Sequence, residues 1–158
     1  MSRQQNYEML YRAQNYAEAK STCKKVHVGS RIVTTDLMEI NGCNRGIERS
    51  CVLQGCHRVE KYGENSKIHR LPSDCVAIHS EVDAISKAAR NGFSLDDAVI
   101  FVTRYPCESC ARAIITSGIR KVVYGRKESI SDMTKSMFDV AGVEVVHESD
   151  WLCEDDNS

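Results

Sequence analysis

A histidine, a glutamate and two cysteines stand where two helices are predicted to begin. His79 and Glu81 lie two residues apart in IHSEVDAI, and Cys107 and Cys110 lie three apart in YPCESC. One histidine and two thiolates can hold a Zn²⁺ ion and leave its fourth position open to water. A glutamate that is not a ligand can then move the protons of that water. The two segments together therefore predict a catalytic zinc site, although a helix start alone would also favour an acidic residue at this place.

The hydrophobic pattern predicts the elements that must position these residues. Helical periodicity covers 6–20, 79–90, 106–118 and 131–141. Short apolar strands are predicted at 98–103, 121–125 and 143–147, and a hairpin within 30–42 turns around Asp36. Helices that alternate with short strands indicate a layered α/β domain with parallel strand pairs late in the chain.

Length and charge limit the classes of protein that fit. The 158 residues are 42% hydrophobic, which suits one domain over 1–158. The formal charge of −1 balances 21 basic against 22 acidic residues, so we expect no nucleic-acid partner. No apolar run is long enough for a membrane span and no signal-peptide core is present, so we expect no membrane partner and a cytoplasmic protein.

Eight cysteines in a protein of a reducing compartment indicate metal binding more than disulfides. Four of them fall between Cys43 and Cys75, where the periodicity vanishes. A long irregular segment inside a compact domain needs something to hold it together. We therefore predict a zinc-stapled insert at about 43–76, and a short acidic tail, EDDNS, at the end of the chain.

The motifs resemble one known family. The HxE and PCxxC pair is the signature of zinc-dependent deaminases. The segments STCKKVHVGSRIVTTD, EINGCNRG, HSEVDAISKAARNG, VTRYPCESCARAIITSGIRKVVYG and FDVAGVEV resemble the deoxycytidylate (dCMP) deaminase family in order and spacing. Free cytidine deaminases carry a cysteine in place of His79. Transfer-RNA adenosine deaminases share the histidine, but they need a basic surface and usually lack a cysteine-rich insert.

The resemblance implies a fold and an activity. The expected fold is a three-layer α/β/α arrangement of the cytidine deaminase type, with a central mixed sheet of about five strands. The expected reaction is the zinc-dependent hydrolysis of dCMP to dUMP and ammonia, which supplies dUMP for thymidylate synthesis. The alternatives are a deaminase of a modified dCMP or of adenosine in RNA, and a catalytically silent zinc-binding module. Glu81 speaks against the silent module, because such a module has no reason to keep a proton shuttle.

The resemblance also implies roles for individual residues. His79, Cys107 and Cys110 would hold the catalytic zinc, and Glu81 would carry protons between the water, N3 of the base and the leaving ammonia. The expected substrate contacts are Asn41, the backbone N–H of Ser80, Tyr105 against the pyrimidine and Tyr124 at the phosphate end. Tyr105 is equally well explained as an ordinary core aromatic residue.

A second, structural zinc is implied for the insert. The expected ligands are Cys23, Cys51, His69 and Cys75, and Cys56 competes for a place among them, as does His57. A closed set of four ligands has no open position and contributes to folding. Cys43 and Cys153 are expected to be free thiols.

Regulation is the last implied property. Arg90, with Gly42 and Gly46, would bind nucleotide effectors in a homohexamer that dCTP with Mg²⁺ activates and dTTP inhibits. Arg90 is equally well explained as a cation that complements the end of its helix. Three places depart from the family pattern, and one of them is Ser80, which stands where alanine is usual. Asp83 replaces an asparagine and is expected to be a solvated helix residue, and Cys43-Asn44 replaces the usual prolines.

Overall fold

The computed structural model describes residues 3–64, 75–127 and 130–151. Its helices are α1 (Arg3–Lys20), α2 (Ser50–Leu53), α3 (His57–Tyr62), α4 (Ser80–Asn91), α5 (Glu108–Thr116) and α6 (Asp132–Ala141). Its strands are β1 (Gly29–Val33), β2 (Glu39–Cys43), β3 (Arg45–Gly46), β4 (Ala77–Ile78), β5 (Val99–Arg104), β6 (Lys121–Arg126) and β7 (Glu144–His147). Short 3₁₀ turns occupy Ile47–Arg49 and Glu148–Trp151.

Five of the strands form one mixed sheet in the order β2-β1-β5-β6-β7. Strand β1 pairs antiparallel with both β2 and β5, whereas β5, β6 and β7 run parallel. The predicted mixed sheet, the hairpin and the late parallel pairs are therefore confirmed. Strands β3 and β4 form a separate antiparallel ladder of two residues each.

Helix α1 covers one face of the sheet at very short range. A Cβ atom at Gly29 would lie 2.0 Å from the carbonyl oxygen of Ala13, so only glycine allows this approach. Ala13 and Ala17 are fully buried for the same reason. An apolar cluster lies beside this contact and comprises Leu10, Val33, Phe101 and Val123.

Helices α4, α5 and α6 cover the opposite face over a larger core. That core takes Ala84 and Ala88 from α4, Ile114 from α5 and Phe138 from α6. Alternate residues of β5, Ile100 and Val102 among them, supply the sheet side. The predicted three layers are thus present, and α4 and α5 lie next to each other on one face.

The helix ends agree with the sequence signals. Gly92 ends α4 at φ +71° and Gly142 ends α6 at φ +68°, a conformation that glycine adopts without strain. The hydroxyl of Ser131 accepts a hydrogen bond from the backbone N–H of Thr134 and caps the start of α6.

The segment that follows β2 contains more regular structure than predicted. The loss of periodicity after Cys43 predicts an irregular stretch, but β3, a 3₁₀ turn, α2 and α3 form within it. Helices of four and six residues are too short to show a helical hydrophobic period, which is why the pattern missed them. None of the helices in the described part of the chain has the length and apolar content that crossing a bilayer requires.

Candidate metal centre and active site

The starts of α4 and α5 meet at one point. His79 follows β4 and occupies the residue before α4, and Cys107 follows β5 and occupies the residue before α5. Both have extended backbones, and neither side chain caps its own helix. The two side chains are therefore available as ligands, and the positive ends of two helix dipoles lie beside them.

The three donor atoms have the spacing of a zinc site. The donors of His79, Cys107 and Cys110 all lie within 4.8 Å of one another. Nδ1 of His79 is 3.4 Å from Sγ of Cys107 and 3.4 Å from Sγ of Cys110. Tetrahedral zinc with ordinary Zn–S and Zn–N bonds places such atoms about 3.6 Å apart. The donor set and its spacing therefore fit Zn²⁺.

Hydrogen bonds within this set already favour a thiolate. The bond from the Cys110 thiol, together with the one from His79, lowers the pKa of Cys107 to about 4 against the effect of burial. The same bond and burial raise the pKa of Cys110. The pKa of His79 is raised mainly by its bond to Cys107, while burial and the charge of Arg58 act in the opposite direction. A cysteine binds metal as a thiolate, so the lowered pKa of Cys107 favours metal binding at this site.

Glu81 lies in the first turn of α4 and is 4% exposed. Burial is the main reason why its pKa is raised, which is the usual way in which a carboxyl group becomes a proton carrier near neutral pH. The hydroxyl of the buried Ser80 donates a hydrogen bond of 3.1 Å to its Oε2. The resemblance assigns Ser80 a backbone contact alone, so it does not predict this hydrogen bond.

A cavity of about 210 Å³ opens over these groups. Its lining includes seven of the predicted site residues, and it is formed by Cys23, Val26, Val28, Asn44, Arg58, Cys75, Ala77, His79, Ser80, Glu81, Arg104, Tyr105 and Cys107. Tyr105 is 8% exposed, and burial raises its pKa to about 12, so its hydroxyl stays neutral. Sequence reasoning missed the two arginines and the apolar pair Val26 and Val28, because none of the four belongs to the HxE or PCxxC motif.

Two predicted substrate contacts do not line this cavity. The side-chain oxygen of Asn41 accepts a 2.7 Å hydrogen bond from Arg31, its neighbour across β1. The ring of Tyr124 packs edge-on against Tyr105, with 4.8 Å between the ring centres. Tyr124 thus stands behind the cavity wall, where it supports Tyr105.

The three predicted effector residues are also separate from the cavity. A Cβ atom at Gly42 would lie 2.1 Å from the carbonyl oxygen of Ser80, and one at Gly46 would lie 2.8 Å from the Cys51 backbone nitrogen. Both glycines therefore permit close packing. Arg90 is exposed in the last turn of α4.

The cysteines of the insert lie near one another. Burial first, and then the neighbouring thiols of Cys23, Cys75 and Cys56, raise the pKa of Cys51. Among residues 3–64, 75–127 and 130–151, only the set around His79 places three donor atoms at ligand spacing. The predicted ligand His69 lies outside the described residues. The seven cysteines of the described chain are all free thiols.

Asp83 is buried, so the prediction of a solvated residue is wrong. It is 1% exposed and binds two cations, with Arg45 Nε at 2.9 Å and Lys87 Nζ at 2.7 Å. It also accepts from the backbone N–H of Cys43. Lys87 in turn donates to the carbonyl oxygen of Asn41. Lys87 lies one helical turn after Asp83 on α4, so this pair could have been read from the sequence. Arg45 and the Cys43 backbone come into reach only when β2 and β3 pack on α4.

Comparisons with known proteins agree with this geometry. Residues 2–126 match the family described as the cytidine and deoxycytidylate deaminase zinc-binding region. The chain therefore belongs to the cytidine and deoxycytidylate deaminases, as its motifs predict.

Relatives with known names cover the chain to different extents. ComE operon protein 2 of Bacillus subtilis is 30% identical over 143 residues, which are 89% of this chain and 70% of that protein. The deoxycytidylate deaminase of Enterobacteria phage T2 is 48% identical over 61 residues, 39% of this chain and 32% of that protein. The deoxycytidylate deaminase of Schizosaccharomyces pombe is 28% identical over 135 residues, 82% of this chain and 39% of that protein. These alignments span less than half of each of the two deoxycytidylate deaminases.

Solved structures confirm the fold. The dCMP deaminase of cyanophage S-TIM5, in complex with dCMP and dUMP, has a TM-score of 0.69 at 23% identity, over 93% of this chain and 98% of that one. A transfer-RNA A34 deaminase has a TM-score of 0.55 at 19% identity, over 90% of this chain and 98% of that one. Likeness at these identities establishes the cytidine-deaminase-type three-layer architecture.

We expect Asp83→Ala to lower the free energy of unfolding by about 3 kcal/mol, because it leaves two cations without their buried counter-ion. Arg45 and Lys87 keep about a third of their side chains in water, which holds the loss at the lower end of the usual range. Denaturant unfolding measures the change. Glu144→Ala removes an exposed carboxylate that pairs with Lys121 and serves as the control, with a change below about 0.5 kcal/mol. Equal effects of the two substitutions would contradict the proposed network.

Proposed function

We propose that this protein is a zinc-dependent hydrolase that converts dCMP to dUMP and ammonia and so supplies dUMP for thymidylate synthesis. The observation that carries the proposal is the meeting of His79, Cys107 and Cys110 beside the buried Glu81 in one cavity. Membership of the family supports the reaction type, and the deoxycytidylate deaminases among the relatives support the substrate.

Different residues at this site would bind the metal, transfer protons and contact the base. His79, Cys107 and Cys110 would hold the metal ion, which when bound supplies the Lewis acidity that makes water a nucleophile near neutral pH. Glu81 takes one proton from the attacking water at a carboxylate oxygen and delivers it to N3 of the base, and it then moves the second proton, from the new C4 hydroxyl, to the departing amine. The C4–N bond breaks, the amine leaves as ammonia, and a carbonyl oxygen from water replaces it. Tyr105, neutral and held by Tyr124, forms a wall for the flat ring.

The presence and placement of Glu81 argue against a silent zinc-binding module. A buried carboxyl group costs free energy unless it is compensated, and the hydrogen bonds of Glu81 with Ser80 and Cys110 leave its pKa raised by burial. A module without turnover gains nothing from that cost.

We expect the purified zinc-loaded protein to release ammonia from dCMP in preference to cytidine, dCTP, cytosine and transfer RNA. Glu81→Gln should reduce that rate by about 10⁴-fold with the zinc retained, since glutamine has the same shape and carries no proton. Glu108→Gln, an exposed glutamate in the first turn of α5, is the matched control and should keep the parent rate. Turnover of Glu81→Gln within a few-fold of the parent would refute the assigned shuttle, and release from transfer RNA or cytosine alone would refute the substrate.

The second metal site is a separate part of the proposal. Cys51 is buried at the start of the insert, close enough to Cys23 and Cys75 for their charges to affect its pKa. Cys23, Cys51, Cys75 and His69 would form a closed set, for which Cys56 competes. Such a set would explain why a segment of short helices keeps its place against the cavity.

Metal analysis should therefore find about two zinc ions per chain, one catalytic and one structural. Cys51→Ala should lose one zinc ion and melt at a lower temperature, because binding at a closed site contributes to folding. Cys43→Ala is the matched control, since its thiol is also buried but lies in β2, and it should keep both ions. One zinc ion in the parent, or an unchanged melting temperature in Cys51→Ala, would remove the structural site.

Regulation by nucleotides is the third part of the proposal. Arg90 is an exposed cation at the end of α4, where a neighbouring subunit of a homohexamer could bring an effector phosphate. An effector that prefers the active arrangement raises activity by its differential affinity for the two states. In this proposal dCTP with Mg²⁺ activates the enzyme and dTTP inhibits it.

Saturation curves in dCMP should then be sigmoidal alone, hyperbolic with dCTP and Mg²⁺, and depressed by dTTP. Coupling of the usual size corresponds to an effect of about 5- to 150-fold on affinity. Arg90→Glu should abolish both responses, whereas Arg112→Glu, an equally exposed helical arginine on α5, should preserve them. A hyperbolic curve that neither nucleotide changes, measured on an intact oligomer, would leave Arg90 as a helix-end cation.

A further inference from the structure

Two arginines line the same cavity as the metal donors. Arg104 is the last residue of β5, and Arg58 lies in the second position of α3 in the insert. They come from different elements, and neither belongs to the HxE or PCxxC motif. The chain as a whole has a net charge of −1, so two guanidinium groups on one small cavity are a local concentration of positive charge. Such a concentration favours the binding of an anion.

The position of Arg104 follows from the alternation of β5. Ile100 and Val102 face the core under α4 and α5, and Thr103 faces the other way, where it accepts a hydrogen bond from the backbone of Gly29. Arg104 therefore continues the row of Ile100 and Val102 toward the start of α5. The next residue, Tyr105, forms the cavity wall, so the cation lies beside the expected place of the pyrimidine ring.

Arg58 reaches the cavity from the insert. It lines the same cavity as His79, Glu81 and Cys107, so it lies near the metal donors. Arg58 follows Cys56 by two residues. The contacts that keep the cysteine-rich segment in place therefore also keep Arg58 at the cavity.

We propose that Arg58 and Arg104 bind the phosphate of a nucleoside 5′-monophosphate, and that they make this enzyme select nucleotides over free nucleosides. The inference rests on the proposed function. A guanidinium group matches two phosphate oxygens at once and offers five N–H donors. Both arginines also interact with other parts of the chain, and five donors leave capacity for a phosphate in addition. The insert thereby becomes part of substrate recognition.

The test compares dCMP with deoxycytidine, which differ only in the phosphate. In the parent enzyme kcat/KM should be higher for dCMP. Arg58→Gln and Arg104→Gln should each raise the KM for dCMP about 10- to 100-fold, the size expected for a hydrogen bond to a charged group. The ratio of kcat/KM for dCMP to kcat/KM for deoxycytidine should fall by the same factor. Arg58→Lys and Arg104→Lys keep the charge without the paired donors and should fall between parent and glutamine variants.

Arg112→Gln removes an exposed arginine outside the cavity and should leave the ratio as in the parent. Zinc content and melting temperature, measured for every variant, separate a lost contact from a lost fold. A double glutamine variant with the parent's ratio would overturn the inference, as would an equal loss of turnover on both substrates.

Binding without turnover distinguishes this inference from the proposed function. Calorimetry with dUMP and deoxyuridine should show tighter binding of dUMP to the parent and near-equal binding to the double glutamine variant. If the parent deaminates neither substrate, the proposed function fails, and the calorimetry still decides whether the two arginines bind phosphate. Equal affinity of the parent for dUMP and deoxyuridine would refute them as a phosphate site.

Discussion

Two helices must begin at one point in space before this protein can hold a metal ion. His79 comes from the start of α4 and the two cysteines come from the start of α5, separated by 28 residues and a strand. Their donor atoms meet only because both helices pack on the same face of the sheet. Gly42 shows how tight the constraint is, since any side chain there would run into the Ser80 carbonyl and push the start of α4 away from the sheet.

The buried carboxylate of Asp83 holds α4 in a second way. It lies one helical turn beyond His79. Its Oδ1 accepts from Arg45, and its Oδ2 accepts from both Lys87 and the backbone N–H of Cys43 in β2. Lys87 extends the connection to the hydroxyl of Tyr16 on α1. Two cations on one buried carboxylate satisfy a charge that would otherwise be expensive to bury. The first turn of α4, which carries Glu81, is thus tied to the sheet edge, to the start of the insert and to α1.

The cavity combines two electrostatic environments, a buried carboxyl group and a pair of positive charges. Around Glu81 the surroundings are dry and raise its pKa, which suits a group that accepts and returns a proton. Arg58 and Arg104 add positive charge on the same cavity, which suits a group that must be held without reacting. In the proposed function, this separation would let one end of a substrate be anchored while the other end undergoes chemistry.

The sequence by itself determined the longer helices and strands and the chemistry of the metal donors. The elements α4, α5, β5 and β6 are long enough for their hydrophobic periods to be recognised, and His79, Glu81, Cys107 and Cys110 are defined by residue type and by their spacing at helix starts.

Tertiary structure decided which other residues are buried or line the cavity. Asp83 is buried because strands distant in sequence bring Arg45 and the Cys43 backbone to it. The side chain of Asn41 turns to Arg31 because the β1–β2 register places them side by side. Arg58 belongs to the cavity through a short helix that has no periodic signal. Local patterns carry information about neighbours along the chain, whereas the burial of a charge or the lining of a cavity depends on which distant segments pack together.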